Sequence, residues 1–238
     1  ERLVGSEMCI RDRLTISYNV VKIIKRVYMN KDEIIIDGLY RIKKKDLKRC
    51  AQVAAKAFLD DASSKFLLSA NLTYKSLFNY YFVIYNAAFK KMYMFAESEN
   101  INGFIIIAPL KNSNLSVWDC IRAGALKIIF SQGLGIVFRS LEYEKNCNKA
   151  REGIASADSW YIFQFGVLPD KQGMKIGSKT IKPVLDWFDS KNISCYLETQ
   201  KAVNVNIYTH LGFLLKLKGT LPDKKMSQFA MFRSFRQQ

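Results

Sequence analysis

The stretch Val167-Leu168-Pro169-Asp170-Lys171-Gln172-Gly173-Met174-Lys175-Ile176-Gly177-Ser178 joins two runs of different period. Before it, Ser159 to Val167 alternates as a strand, with Tyr161, Phe163 and Phe165 on one face and Trp160, Ile162, Gln164 and Gly166 on the other. After it, Ile176 to Ser190 repeats its apolar residues at helical spacing. Pro169 ends the strand, and the glycines let the chain turn tightly into the helix. The first N–H groups of a helix have no partner of their own and carry the positive end of its dipole. A strand, a glycine turn and a helix in this order therefore make a site for a phosphate or diphosphate.

Working outward, Lys191-Asn192 turns the chain into Ile193–Thr199, a parallel neighbour of the first strand. Such a crossover places a ligand beyond the carboxyl ends of its strands. Ala202–His210 reads as a helix, and Phe213–Leu217 and Met226–Phe235 as closing strands. Upstream, Ile34–Ile42 is strand-like, and Asp46 is the expected N-cap of a helix carrying Leu47, Cys50, Val53, Ala54 and Ala57. Thr73–Phe89 is a second, aromatic helix, and Lys91–Ala96 and Gly103–Pro109 form a hairpin across Glu97–Asn102. Val117–Phe130 is expected as one helix, Ile136–Tyr143 as a short one, and Glu144–Ser156 as a polar loop. Gly133-Leu134-Gly135 follows no strand, so it reads as a helix–helix connection and not as a second phosphate turn.

The central residues resemble the GNAT superfamily of acyl-CoA N-acyltransferases, whose loop follows the pattern Gln/Arg-x-x-Gly-x-Gly/Ala after a strand. Gln172, Gly173, Gly177 and Ser178 fit it. Cys195-Tyr196-Leu197-Glu198-Thr199, Asn204, Tyr208 and Gly212-Phe213 are similar to the family's second half. Ala57-Phe58-Leu59-Asp60-Asp61 and Trp160-Tyr161 are similar to stretches of puromycin-acetyltransferase-like members. The resemblance covers about Ile34 to Phe235 and implies an α/β fold (α+β, mixed sheet) whose central pair of parallel strands splays near Gly166. It also implies an N-acetyltransferase domain over 34–236, acetyl-CoA as cosubstrate, and direct attack by a primary amine in a ternary complex.

The resemblance assigns roles by position. Phe165 and Val167 offer backbone groups to the pantetheine arm, and Gln172, Gly173, Met174, Lys175, Gly177 and Ser178 hold the pyrophosphate between Lys171 and Lys179. Tyr208 donates a proton or hydrogen bond to the leaving thiolate. Asn204, one helical turn earlier, steadies the cofactor, and His210 points away. Glu198 is either the general base or a cap on backbone amides, with Asp158 and Glu152 as further candidates for the base. Some rings of the aromatic helix are expected at the acceptor pocket.

One residue departs from the pattern, because Lys175 stands at the loop position that is usually glycine. With negative φ the lysine is allowed at a helix N-terminus and its ammonium adds to phosphate binding; with positive φ the turn is strained and the site weakened or silent. Negative φ is the expectation. A catalytically silent CoA-binding module is the alternative reading.

Composition sets outer limits. The chain has 238 residues, 49% of them hydrophobic, enough for a sizeable core. Its net charge of +16 suits a polyanionic cofactor, while a basic nucleic-acid or membrane-binding protein is a further alternative. No specific nucleic acid is expected as a partner. The acceptor, a small molecule or a peptide amine, and the oligomeric state are not legible. Cys9, Cys50, Cys120, Cys147 and Cys195 form no Cys-x-x-Cys pair, and His210 is the sole histidine, so no disulfide framework or metal site is expected. Cys195 is expected in the core and not as a nucleophile. No apolar run reaches transmembrane length, and a cytoplasmic protein is expected. Residues 1–33 read as an N-terminal extension. Glu1–Arg13 resembles translated adapter sequence, and Leu14–Lys31 is either an extension or a basic amphipathic helix.

Overall fold

A computed structural model describes residues 34–220 and 226–236, so the expectations for residues 1–33 lie outside it. The chain divides into two units, Glu1–Ile35 and Ile36–Gln238, and the second is described here. Its seven strands form one sheet: β1 Tyr40–Arg41, β2 Tyr93–Ala96, β3 Gly103–Pro109, β4 Trp160–Val167, β5 Cys195–Thr199, β6 Leu214–Thr220 and β7 Ser227–Arg233. Their order across the sheet is β1-β2-β3-β4-β5-β7-β6, with β4 and β5 parallel and every other pair antiparallel.

The helices are α1 Leu47–Ala57, α2 Ala62–Leu68, α3 Tyr74–Ala88, α4 Val117–Arg122, α5 Ala125–Gln132, α6 Gly135–Glu152, α7 Ile176–Ser190 and α8 Ala202–His210. α1 buries Leu47, Cys50, Val53 and Ala54 of the stripe expected from sequence, with Ala57 half-buried. α7 buries Thr180, Ile181, Val184, Leu185 and Phe188. Its last turn is tied to β7 by a two-pronged ion pair, in which Arg233 donates to both oxygens of Asp189 at 2.8 and 2.6 Å.

Several expectations need correction. Of the strand-like run Ile34–Ile42 only Tyr40–Arg41 pairs, because the chain turns at Gly38 (φ +79°), where Leu39 N–H donates to the Ile36 carbonyl. Asp46 does not cap α1 with its side chain; its carboxylate accepts from the Tyr40 hydroxyl and the Lys43 N–H. The expected helix Val117–Phe130 is two helices, broken at Gly124 with φ +102°. α2, unforeseen, starts at Asp61, whose carboxylate accepts from the Ser63 N–H at 3.0 Å. The expected loop Glu144–Ser156 is mostly helix, since α6 continues to Glu152 and buries Cys147, Ala150 and Arg151 at helical spacing. Polar composition hid that stripe.

The sharpest correction lies in β4. Its register against β3 runs Gly103↔Val167 to Ile106↔Gln164, then resumes at Ile107↔Ile162, leaving Phe163 as a bulge. A one-residue bulge reverses the alternation beyond it. Phe165 and Val167 therefore face α7, where an added Cβ at Gly177 would meet both side chains. Gly166 faces the opposite side, against Phe104 and Phe58. Gln164 is on that side too and accepts from the Tyr85 hydroxyl at 2.7 Å.

Candidate active site

β4 and β5 pair at only two positions, Trp160↔Cys195 and Tyr161↔Tyr196. The bulge at Phe163 bends β4 away, so the strands part well before Gly166, where the sequence reading had placed the divergence. From Phe163 to Val167 the β5-facing edge of β4 makes no strand pair among the described residues. Phe165 and Val167 both lie on this open edge. An extended ligand can complete the sheet there, as a peptide adds to a free strand edge.

The turn after β4 stands at the end of that opening. Pro169–Lys171 makes one 3-10 turn, and Gly173, at φ +80°, supplies the left-handed residue that redirects the chain. α7 starts at Ile176 with no side-chain cap. Lys179 N–H is the first amide to close on the helix, donating to the Lys175 carbonyl at 3.0 Å. The N–H groups of Ile176, Gly177 and Ser178 make no backbone hydrogen bond among the described residues. Gln172, Gly173, Met174, Lys175 and Ser178 are exposed, with Lys171 and Lys179 flanking them. The Gln172 side chain reaches back to the Val167 carbonyl at 3.5 Å. Open amides, a helix dipole and three lysines give this turn the chemistry to cradle a polyanion.

Lys175 has φ +61° and ψ +8°, which overturns the expected negative φ. A side chain in the left-handed region costs about 1–2 kcal/mol. The backbone nevertheless takes the conformation a glycine would take, so the cradle keeps its shape and carries strain. Lys175→Gly should therefore raise the unfolding free energy by about 0.5–1 kcal/mol, the strain less the larger chain entropy of glycine. Urea unfolding reads this directly, and an unchanged midpoint would count against strain at Lys175.

Tyr208, on α8, is buried with its ring 5.8 Å from that of Phe213. Burial alone pushes its hydroxyl up to about 12, so the phenol keeps its proton at neutral pH. The Asn204 amide donates to Thr199 Oγ1 at 3.0 Å, fastening α8 to the end of β5. His210 is exposed, with Nδ1 at 2.7 Å from the Asn206 carbonyl. Cys195 is fully buried and its thiol is pushed up by burial, as a core residue's would be.

Glu198 lies inside the fold, within an ion pair. Its side chain is only 3% exposed and accepts from no backbone amide among the described residues; it accepts from Arg151 Nε at 3.2 Å and from the Tyr161 hydroxyl at 2.7 Å. Arg151, from the last turn of α6, also pairs with Glu144 at 3.6 Å, donates to Ser113 Oγ, and lies 4.2 Å from the Tyr161 ring centre. Burial raises the Glu198 carboxyl above its ordinary value, with Arg151 opposing. Asp158 and Glu152 are exposed at the surface. Arg151, Tyr161 and Glu144 were missed because Arg151 and Glu144 lay in the segment read as a loop.

Tyr161 is also a wall of a cavity of about 300 Å3 between α3, α4, α5, α6 and β4. The cavity is apolar along most of its length, through Val83, Ile84, Ile121, Ile128, Ile136 and Val137. Its polar lining residues include Glu144, Gln164 and Tyr143. Of the aromatic stripe on α3, Tyr80 and Tyr81 face this space. Phe163 and Gln164 of the bulge line it as well, so the cavity meets β4 where that strand leaves β5.

The sheet is mixed, its parallel pair parts after two positions, and the uncapped N-terminus of α7 stands at the opening. The acetyltransferase (GNAT) family model matches residues 133–213. Among solved structures, the chain is similar to the C-terminal condensation domain of Ebony in complex with beta-alanyl-dopamine, at TM-score 0.58 and 10% identity, over 82% of this chain and 97% of that one. It is also similar to a histone acetyltransferase HPA2 and related acetyltransferase from Corynebacterium glutamicum, at TM-score 0.55 and 13% identity, over 84% and 97%. An N-acetyltransferase from Staphylococcus aureus Mu50 aligns at TM-score 0.52 and 14% identity, over 82% and 98%. The family match thus lies on the part of the chain that holds the phosphate turn and β5, and the solved structures share its fold.

Proposed function

We propose that the 34–236 domain transfers an acetyl group from acetyl-CoA to a primary amine by direct attack in a ternary complex. The observation that carries this reading is the two-position pairing of β4 with β5 beside an uncapped helix N-terminus. Together these fit a ligand with an extended polar arm and a diphosphate end. Bound acetyl-CoA supplies an activated thioester. The main-chain groups of Phe165 and Val167 take the arm, while Gln172, Gly173, Met174, Lys175, Gly177 and Ser178 form the cradle, with Asn204 holding α8 in place behind it. Each charge-assisted bond from the cradle contributes about 1.5–3 kcal/mol.

The remaining residues manage protons. A phenol near 12 is a weaker acid than an ordinary thiol at about 8.5, so Tyr208 acts as a hydrogen-bond donor to the leaving sulfur. Glu198 is the base acting through another group: Tyr161 lines the cavity and its hydroxyl donates to Glu198 Oε2, so the hydroxyl takes the ammonium proton and passes its own to that oxygen. The cavity walls favour an amine borne on an apolar body. A polyamine would leave further charges without partners among those side chains.

Calorimetry with acetyl-CoA and thiol release with a panel of amines test this reading. Absence of binding ends it, and binding without release for any amine leaves a silent CoA module, the reading that strain at Lys175 favours. Tyr208→Phe should lower turnover by at least about tenfold with little change in acetyl-CoA affinity. Unchanged turnover would remove Tyr208 from the mechanism.

A further inference from the structure

β3 and β4 are antiparallel neighbours, which a tight turn could join, yet residues 110–159 between them build α4, α5 and α6. These helices are apolar on two sides. Their inner side lines the cavity through Ile121, Ala125, Ile128, Ile129, Ile136 and Val137. Their outer side leaves Trp118 67%, Phe130 89% and Phe138 69% exposed, with Leu126, Leu134 and Leu141 exposed beside them. Leu126 and Phe130 are one turn apart on α5, and Leu134, Phe138 and Leu141 follow at helical spacing across the Gly133 turn. A helix apolar on both sides needs a cover on its outer side.

The charges around the patch indicate which cover. Arg122, Lys127, Lys145 and Lys149 are exposed on the same three helices, against Glu142 and Glu152 as the exposed acids there. Asp119 is engaged by Lys91 and Glu144 by Arg151. A second copy would bring one chain of net charge +16 against another, a repulsion that an anionic surface turns into attraction. Exposed tryptophan, phenylalanine and leucine on helices that also carry exposed arginine and lysine is the composition of a lipid interface. We propose that the α4–α6 insertion docks on an anionic lipid surface, with Trp118, Phe130 and Phe138 entering the headgroup–acyl boundary. The apolar cavity then lies directly behind the docked helices. This inference does not depend on the transferase reading.

The test uses the full chain with vesicles of phosphatidylcholine alone and of phosphatidylcholine with phosphatidylserine. The expected result is sedimentation with the anionic vesicles at least about tenfold stronger than with the neutral ones. Tryptophan emission should shift to the blue on binding, since Trp118 is the exposed indole while Trp160 is buried. Phe130→Ser with Phe138→Ser should weaken vesicle binding by at least about tenfold, with the circular dichroism spectrum unchanged. Three results would overturn the proposal: no binding to either vesicle, binding untouched by the double substitution, or lipid-free self-association that the double substitution abolishes. The last would make the patch an interface between copies.

Discussion

Arg151→Ala is expected to lower stability by about 3–5 kcal/mol, because it leaves the buried Glu198 carboxylate without its counter-charge. For a domain of this size that is a fall of roughly 6–20 °C in the unfolding midpoint. The pair itself is not a large source of stability, since burial already raises the Glu198 carboxyl despite the guanidinium beside it. The cost lies in breaking it one-sidedly. Arg151→Met combined with Glu198→Leu should therefore recover most of the loss, and a double substitution as unstable as the single one would refute this account. The pH dependence has a definite sign. A folded carboxyl raised above 4.5 contributes stability that is full below that value and is lost as the pH climbs through the folded-state value. Glu198→Gln should thus gain on the parent as pH rises, while turnover falls if Glu198 receives the acceptor proton.

Gly177→Val should lower CoA affinity by at least about 100-fold, equivalent to roughly 2.8 kcal/mol, while the fold survives. A Cβ at Gly177 would already touch Phe165 at 3.4 Å and Val167 at 3.7 Å, so alanine fits as ordinary contact. The two further methyl groups of valine must push α7 away from β4. That movement turns the N–H groups of Ile176, Gly177 and Ser178 off their target, where about 1 Å of misplacement matters. Gly177→Ala serves as the control and should retain affinity. Retained affinity in the valine variant would place the diphosphate elsewhere.

Much of this molecule was legible from local pattern. α7 and α8 run over the bounds expected from sequence, Ile176–Ser190 and Ala202–His210, because their apolar spacing and flanking turns are local signals. The strand–turn–helix that forms the cradle was readable for the same reason. Where reading failed, the deciding contact was distant. The bulge at Phe163 exists only against β3, and it reverses the faces of Phe165 and Gly166 without any mark in β4's own residues. The buried stripe of α6 was hidden by its charges, since Arg151 looks like a solvated residue until Glu198, 47 positions later, is brought beside it.

Sequence alone carried a resemblance to the superfamily, the order of the elements around the phosphate turn and the residue types that can hold a diphosphate, because hydrogen-bond periodicity and turn chemistry act within a few residues. Tertiary structure alone decided the sign of φ at Lys175, the depth at which β4 leaves β5, and the enclosure of Glu198 by Arg151 and Tyr161. Each of these is a compromise between segments far apart in the chain, and packing sets it.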